Sequence, residues 1–563
     1  MRKKIPIGME FYKEIVEKGC YYVDKTLLAK AVIDLGGKVT LFTRPRRFGK
    51  TLAQTTLQTF FEDERDRDGN KIDNSCYFEG KKIMNADKEY VSMMGQYPVI
   101  FLTLKSAKQP NFELAIYCLM EQIAYEYDRH SYVLQSSKLS EEEKERFLRI
   151  RRQKENINDY VTSLAFLSIC LEKYHGKQTI ILLDEYDVPL ENAYYKGFYE
   201  EMVDFIRSLF ESSLKTNKSL EFAVITGCLR ISKESIFTGL NNFKVVSILN
   251  SDFAEYFGFT QKEVEEMFGV YGLEGKMDEV KQWYNGYCFG DVQVYNPWSI
   301  INYVDTTMTD LNAFPKPYWS NTSSNSIVKD LVEQADSDTK EEIEKLIAGG
   351  IIEKPVYEDI TYEDIYKSKD NLWNFLFFTG YLKKCGQQFE NDTIHLKMMI
   401  PNKEIRDIYR NTILEWFDVQ LETTNRQELF DAILEQNTEK MEECISGYLL
   451  ETISFYDYAE SYYHGFLTGI LKGMKNYYVV SNRESGMGRP DIMIKSRDIF
   501  RGAAILFEIK YAKNFDEIER KRKEAAKQVA DKNYTTELEK EGYQKILKYS
   551  ICFYKKNCVV DKL

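Results

Sequence analysis

Histidine is scarce in this chain of 563 residues. Only His130, His175, His395 and His464 occur, too few for a histidine-rich metal centre. Ten cysteines are present, but none forms a Cys-x-x-Cys pair, which excludes the spacing of a zinc ribbon and of a small disulfide framework. No apolar run approaches the roughly 18 to 20 residues that a membrane helix requires. The opening MRKKIPIGMEFYKE places no apolar stretch behind its basic residues, so a cytoplasmic protein with no membrane partner is expected. Low-complexity tracts are missing as well, while aromatic residues make up 14% of the chain; that supply of large core side chains excludes disorder. A net charge of -12 rules out a uniformly basic coat for nucleic acid. The charge is uneven, however. Residues 501–563 hold 15 Lys and Arg against 10 Asp and Glu, a balance that suits either a polyanionic partner or a solvated helix face.

At this length, roughly three to five domains are expected. Residues 38–42, KVTLF, read as a strand, followed by TRPRRFGKT and the helix-like LAQTTLQTFFE. Strand, loop, and Gly-Lys-Thr opening a helix is the context of a phosphate-binding loop. Backbone N–H groups of Arg46, Arg47, Phe48 and Gly49 would face phosphate oxygens, Lys50 would reach the β- and γ-phosphates of ATP, and the Thr51 hydroxyl would ligate Mg2+. Arg44 stands where the usual pattern begins with glycine. A second motif follows in QTIILLDEYDVP, an apolar strand ending in acids. Asp184 would hold the same Mg2+, and Glu185 would polarise the attacking water as general base. A third strand, Phe222 to Thr226, ends in polar residues with Arg230 just beyond. Arg230 would meet the γ-phosphate in its own chain or from a neighbouring subunit, the latter requiring a homo-oligomer; a surface arginine is the alternative. Strands alternating with helices imply a parallel sheet covered on both faces.

TRPRRFGKT, the upstream YYVDKT, LLDEYDVP and ITGCLRISKESIFTGLNN together resemble the bacterial AAA-ATPase-like family, whose members carry RPRRFGK[ST] in place of the glycine-first loop. The resemblance implies that Arg44 is a family feature and places Asp24 and Lys25 in a structural or nucleotide-proximal element. Downstream, Thr260 and Glu263 form a capping box, WYNGYCFG signals a hairpin, and Asn296-Pro297 opens a helix. Residues 251–330 are therefore read as a lid or winged-helix-like module after an ATPase domain at 1–250. Residues 136–160 read as a charged helix inserted in that domain, and 331–435 as helices and connectors with Trp373, Phe375, Leu376, Phe377 and Phe378 in a core.

Residues 436–563 read as two helices, a strand and glycine turn, two more strands, a long polar helix, and closing strands. PDIMIKS and GAAILFEIKYA would form a hairpin. Side chains alternate along a strand, so Glu508 and Lys510 share a face, and pairing allows Asp491 to join them. Two carboxylates suit Mg2+ or Mn2+, and Lys510 would orient water and stabilise charge on a phosphate. Solvated edge acids with a structural Lys510 are the alternative. The spacing is that of PD-(D/E)XK nucleases and resembles the nuclease domain joined to the ATPase family above. That resemblance implies an extra acid, from Glu460 or Glu484, and likens Gln528 and Tyr534 to a Gln…Tyr helix element. The expected whole is an α/β multidomain protein: a P-loop NTPase parallel sheet with helices on both faces, a helical or winged-helix-like lid, a helical linker, and a mixed α/β PD-(D/E)XK nuclease-like domain. The expected function is ATP hydrolysis coupled to metal-dependent cleavage of nucleic acid, DNA before RNA. The alternative is a nucleotide-controlled switch whose C-terminal domain binds without cutting.

Overall fold

The computed structural model describes the chain apart from residues 1–2, 154–155, 231–235, 238–242, 320–327, 330–335, 359–361, 366, 391, 424–425, 452–459, 482–489 and 532–534. The chain divides into two units, residues 1–324 with 353–405, and residues 325–352 with 406–563.

The first unit is built on five strands: β1 (Val39–Thr43), β2 (Val99–Thr103), β3 (Thr179–Asp184), β4 (Leu220–Gly227) and β5 (Phe243–Val246). Their order is β2-β3-β4-β1-β5, and every pairing is parallel. β1 and β3 are buried along their whole length. That is why they read as unbroken apolar runs; a parallel sheet covered on both faces offers no solvent side. Helix α1 (Lys50–Phe61) is tied to the sheet by Gln54, whose side-chain amide donates to the carbonyls of Leu183 and Val224 at 3.2 and 3.1 Å.

At the edge of the sheet where β2 and β3 begin, α1 meets the ends of α2 (Phe112–Arg129) and α3 (Ser163–His175). A relay of polar side chains joins these ends. Asp63 Oδ2 lies 2.9 Å from His175 Nδ1, and the Tyr132 hydroxyl sits 2.9 Å from His175 Nε2 and 3.0 Å from His130 Nδ1. His130 Nε2 faces the Val99 carbonyl at 3.0 Å. Arg129 bonds Glu62, Glu126 and the same carbonyl.

Residues 251–319 follow the anticipated order with one additional helix. Helix α4 (Gln261–Tyr271) starts with the Thr260–Glu263 capping box, a helix Met277–Tyr284 follows, β6 (Tyr287–Phe289) and β7 (Val292–Val294) form the hairpin, and α5 (Pro297–Thr309) closes the module. Its core holds Val264, Phe268, Tyr284 and Tyr303, and the N-terminal residues Ile5, Tyr21 and Val23 pack against it. The stretch read as helices and connectors also contains a sheet: β8 (Ile352–Pro355), β9 (Lys383–Glu390) and β10 (Thr393–Met399), in the order β8-β10-β9. The aromatic run from Trp373 to Phe378 is helical and buried, as expected of a core. The inserted charged segment forms two helices, Glu141–Arg151 and Ile157–Tyr160.

The second unit carries a mixed sheet in sequential order: β11 (Tyr477–Ser481), β12 (Ile492–Ser496), β13 (Ala503–Tyr511), β14 (Lys545–Tyr554) and β15 (Asn557–Lys562). All neighbours are antiparallel except β13 and β14. Alternation splits the inner strands between two cores. Ile492, Ile494, Ile505, Phe507 and Ile509 pack under helices from residues 427–474. Met493, Ala504 and Leu506 pack on the other face with Val529 of α6 (Ile518–Asp531), Leu538 and Tyr543.

Candidate functional site

The loop between β1 and α1 forms one wall of a cavity of about 310 Å³ in the first unit, lined by every residue from Arg46 to Thr51 and by Glu185. Gly49 stands at the helix entrance with φ 80°, a left-handed conformation that glycine adopts without steric cost. Arg47 and Glu185 also have positive φ, 68° and 53°. For residues with a Cβ this costs about 1–3 kcal/mol each, and such strain clusters at binding sites.

Lys50 is buried, and its ammonium donates to the carbonyls of Arg44 and Pro45, both at 2.9 Å. The Thr51 hydroxyl donates to Asp184 Oδ2 at 2.7 Å, and Thr226 donates to Asp184 Oδ1 at 2.5 Å. Loop helix, acid-tipped strand and neighbouring strand are thus joined through one carboxylate. Burial raises the Asp184 carboxyl above its ordinary range, opposed by these two hydroxyls. Thr51 and Asp184 together offer hard oxygen donors, the donor set that suits Mg2+.

The remaining residues expected to hold nucleotide are placed as follows. Arg46 pairs with Glu191, and the Arg47 guanidinium stacks over the Trp298 ring at 4.3 Å. The Phe48 ring is buried against Tyr287 and Phe289, anchoring the loop to the β6–β7 hairpin. Arg230 stands three residues past the end of β4, partly exposed, and does not line the cavity.

Three features escape inspection of the motifs. Arg44 is a core residue. Its guanidinium donates to the carbonyls of Thr43, Val246 and Asp252 at 2.9, 2.9 and 3.3 Å and lies over the rings of Phe257 and Phe289. Burial pulls it down to about 9, so it remains a cation at neutral pH. Tyr186 and Asp187 grip the turn after β4: Asp187 Oδ2 accepts the N–H groups of Cys228 and Leu229 at 2.7 and 3.1 Å, and the Tyr186 hydroxyl donates to the Leu229 carbonyl at 2.7 Å. A Cβ at Gly227 would stand 2.5 Å from the Tyr186 ring, so only glycine fits there. Lys105 and Lys108, just past β2, add positive charge to the cavity wall. Their position at the carboxyl edge of a parallel strand was the available signal.

Asp24 and Lys25 brace the N-terminal segment. Asp24 accepts from Thr26 and from the Lys82 N–H. The Lys25 ammonium, which lines the cavity, pairs with Glu263 of the α4 capping box at 2.6 Å.

In the second unit, the β12–β13 register pairs Ile492 with Phe507. Continued by one residue, it sets Asp491 opposite Glu508. Directly opposed residues share a face, so Asp491, Glu508 and Lys510 lie together on the side covered by α6. Asp491 Oδ2 accepts the Ile509 N–H at 2.7 Å. Glu508 is fully buried, and the Lys510 ammonium meets Glu508 Oε1 at 3.1 Å. His464 contacts the Asp491 carbonyl at 2.7 Å through Nε2. Two facing carboxylates again suit a hard divalent cation. Among the described residues no group of three or more His, Cys, Asp or Glu side chains is arranged to hold a metal ion. The Glu460 side chain, Glu484 and Tyr534 lie outside the described residues; Gln528 is on α6, half-buried. Glu524, one turn before Gln528, was not anticipated; Lys521 and, more weakly, Lys510 hold its carboxyl below the usual range.

A five-stranded parallel sheet with a phosphate-type loop and an acid-tipped strand defines a P-loop NTPase fold, here followed by a mixed sheet carrying a nuclease-type pattern. Residues 6–237 match the family model described as a predicted AAA-ATPase, and residues 458–563 match that of the PD-(D/E)XK nuclease superfamily. The chain thus joins an AAA-ATPase-like domain to a C-terminal PD-(D/E)XK nuclease-superfamily domain. A protein from Azotobacter chroococcum mcd 1, described as an uncharacterized protein in the vnfD 5′ region, is 25% identical over 439 residues, covering 77% of this chain and 74% of that protein. The Walker-type ATPase of Pyrococcus abyssi aligns with a TM-score of 0.38 at 12% identity, over 73% of this chain and 99% of its own. Among the described residues no helix is long and apolar enough to cross a membrane.

Proposed function

We propose that this protein binds and hydrolyses ATP in its first unit and cleaves phosphodiester bonds, of DNA before RNA, in its second. In the ATPase-like site the α1 N-terminus and the loop N–H groups bind phosphate oxygens. Lys50 exchanges the carbonyls of Arg44 and Pro45 for the β- and γ-phosphates, and Glu185 orients and deprotonates the attacking water. Arg230, on the turn that Tyr186 and Asp187 hold and outside the cavity lining, neutralises γ-phosphate charge either after a shift of that turn or in the site of a neighbouring subunit. In the nuclease site Asp491 and Glu508 form the acidic face, and Lys510 places its ammonium where charge develops on the phosphate. Mg2+, held by Thr51 and Asp184 in one site and, with Mn2+ as substitute, by Asp491 and Glu508 in the other, would supply neutralisation of phosphate charge.

The observation that carries this reading is the facing of Asp491 and Glu508 across β12 and β13 with Lys510 on the same side. Plasmid nicking with and without Mg2+ and ATP tests it. Asp491→Ala and Glu508→Ala should each abolish nicking, and Lys50→Ala should remove only its ATP-dependent part. ATP hydrolysis without cleavage of any polynucleotide under either metal would overturn the nuclease role and leave a nucleotide-controlled binding protein.

A further inference from the structure

Five residues beyond Lys510 the chain turns from β13 into α6, and at that turn Phe515 leaves 74% of its surface in solvent. An exposed phenylalanine is common on protein surfaces. This one is held in place. Asn514 Oδ1 accepts the Glu517 N–H at 3.0 Å, and Glu517 Oε2 accepts the Lys513 N–H at 3.1 Å, closing the turn on both sides. The Phe515 ring meets Tyr554 edge-on at 6.3 Å, and the Lys555 ammonium lies 5.5 Å from the centre of the Tyr554 ring.

The surrounding charge has a pattern. Arg520, Lys521 and Arg522 are each paired with acids of the same helical segment or of β15. Lys513, Lys523 and Lys527 are exposed and form no ion pair with any described residue. Lys523 and Lys527 stand one helical turn apart on one face of α6. A fixed aromatic face with Lys513 two residues before it and Lys523 and Lys527 on the helix that follows suits a splayed base and its phosphates: the ring stacks on a base, and the ammonium groups follow the backbone. Bases inside a duplex are already stacked on one another and cannot offer that face. The chain between Lys510 and Phe515 spans at most about 18 Å, within reach of one short stretch of a bound strand.

Resting on the nuclease reading of the second unit, we propose that Phe515 and the lysines beside it form a binding platform for single-stranded nucleic acid, feeding the strand to Asp491, Glu508 and Lys510. The molecule contains its own control. Phe500 is more exposed still, at 84%, but sits between β12 and β13, at the opposite end of β13 from Glu508 and Lys510.

The test is fluorescence anisotropy of the full-length protein with labelled 12-mers, oligo(dT) and oligo(U), and with a blunt duplex of equal length. EDTA is present, so that cutting does not intervene. Phe515→Ala should weaken single-strand binding about tenfold, Phe515→Trp should restore it, and Phe500→Ala should leave it unchanged. Replacing Lys523 and Lys527 with Gln should lower the slope of log affinity against log salt by about 1.4. A preference between oligo(dT) and oligo(U) identifies the natural strand. The proposal fails if Phe515→Ala binds single strands like wild type, if it weakens duplex binding equally, or if it changes the sedimenting mass of the free protein; that last result would make this face an interface between copies. The two readings separate cleanly: weakened binding by Phe515→Ala in a protein that cuts nothing keeps the platform and removes the nuclease. Loss of cutting in Asp491→Ala with unchanged binding by Phe515→Ala does the reverse.

Discussion

The two candidate sites satisfy their charged groups in different ways. In the first unit Lys50 is bonded to loop carbonyls and Asp184 to two hydroxyls, Thr51 and Thr226. These groups come from the β1–α1 loop, α1, β3 and β4, spread over nearly two hundred residues. In the second unit the cation and one acid bond each other, Lys510 to Glu508, and Asp491 is aimed by a backbone N–H of the facing strand. Everything there comes from two adjacent strands. A ligand entering the first site must therefore exchange existing bonds of the loop, whereas the second site already presents its acids on one face. The first arrangement suits a site that changes state when filled, the second a site whose geometry is set by the sheet.

Removing one acid from each site gives the sharpest contrast. Glu185→Gln should lower ATP turnover by about 10²–10⁴-fold while nucleotide binding, followed by Trp298 fluorescence, survives. Asp491→Asn should lower cleavage by about 10²-fold or more with ATP turnover intact. Loss of both activities in either variant would show that the two sites are not chemically separate. Next comes Arg44→Ala. It leaves three carbonyls without their donor and opens space beside Phe257 and Phe289. Urea unfolding should show a loss of about 3 kcal/mol. Arg44→Gly, although it recreates the usual glycine, should behave no better.

Glu404 gives a pH-dependent counterpart to these buried charges. It accepts from the Ser299 hydroxyl and the Trp319 N–H, both at 2.9 Å, and burial pushes its carboxyl up to about 8. Its folded form keeps a proton that the unfolded chain releases near pH 4.5. The stabilisation is thus complete below that value and is lost as pH rises to about 8, with a slope of at most about 1.4 kcal/mol per pH unit. Glu404→Gln should flatten the dependence of the urea midpoint over this interval; an unchanged profile would assign the slope to other groups. The smallest effect is expected of Thr260→Ala, which removes the α4 cap at a cost of about 1 kcal/mol, read as a shift in thermal midpoint. It should also loosen the Glu263–Lys25 pair at the cavity wall.

The motifs were legible because each lies on a strand buried on both faces, where an apolar run ends abruptly in charge. β3 ends in Asp184 and Glu185, and β13 carries Glu508 and Lys510 in an otherwise apolar run. β5 and β9 were illegible for the converse reason. Phe243–Val246 is a four-residue edge strand, half in solvent. Lys383–Glu390 is almost wholly exposed, so its KKCGQQFE carries neither apolar alternation nor a β-branched residue. The strongly apolar NLWNFLFF beside it drew the whole region toward a helical reading. The role of Arg44 was hidden differently. Arg44 stands where the usual loop begins with glycine, a position that points to no core role, and two of the carbonyls that hold it, at Val246 and Asp252, lie two hundred residues away.

The relay beneath the sheet obeys a simple count. Asp63, His175, Tyr132, His130 and the Val99 carbonyl are joined by four close contacts. Both ends are oxygen acceptors, so every contact needs a hydrogen of its own. Two neutral imidazoles and one phenol bring three. Burial, with the neighbouring Arg129 charge, pulls the His130 imidazole down to about 4, so that ring brings a single hydrogen at neutral pH and neutral groups leave the relay one hydrogen short of four. The relay sits where α1, α2 and α3 all finish, and each helix brings partial negative charge to that point. The Arg129 guanidinium, bonded there to Glu62, Glu126 and the Val99 carbonyl, is the cation seated among the three helix tails.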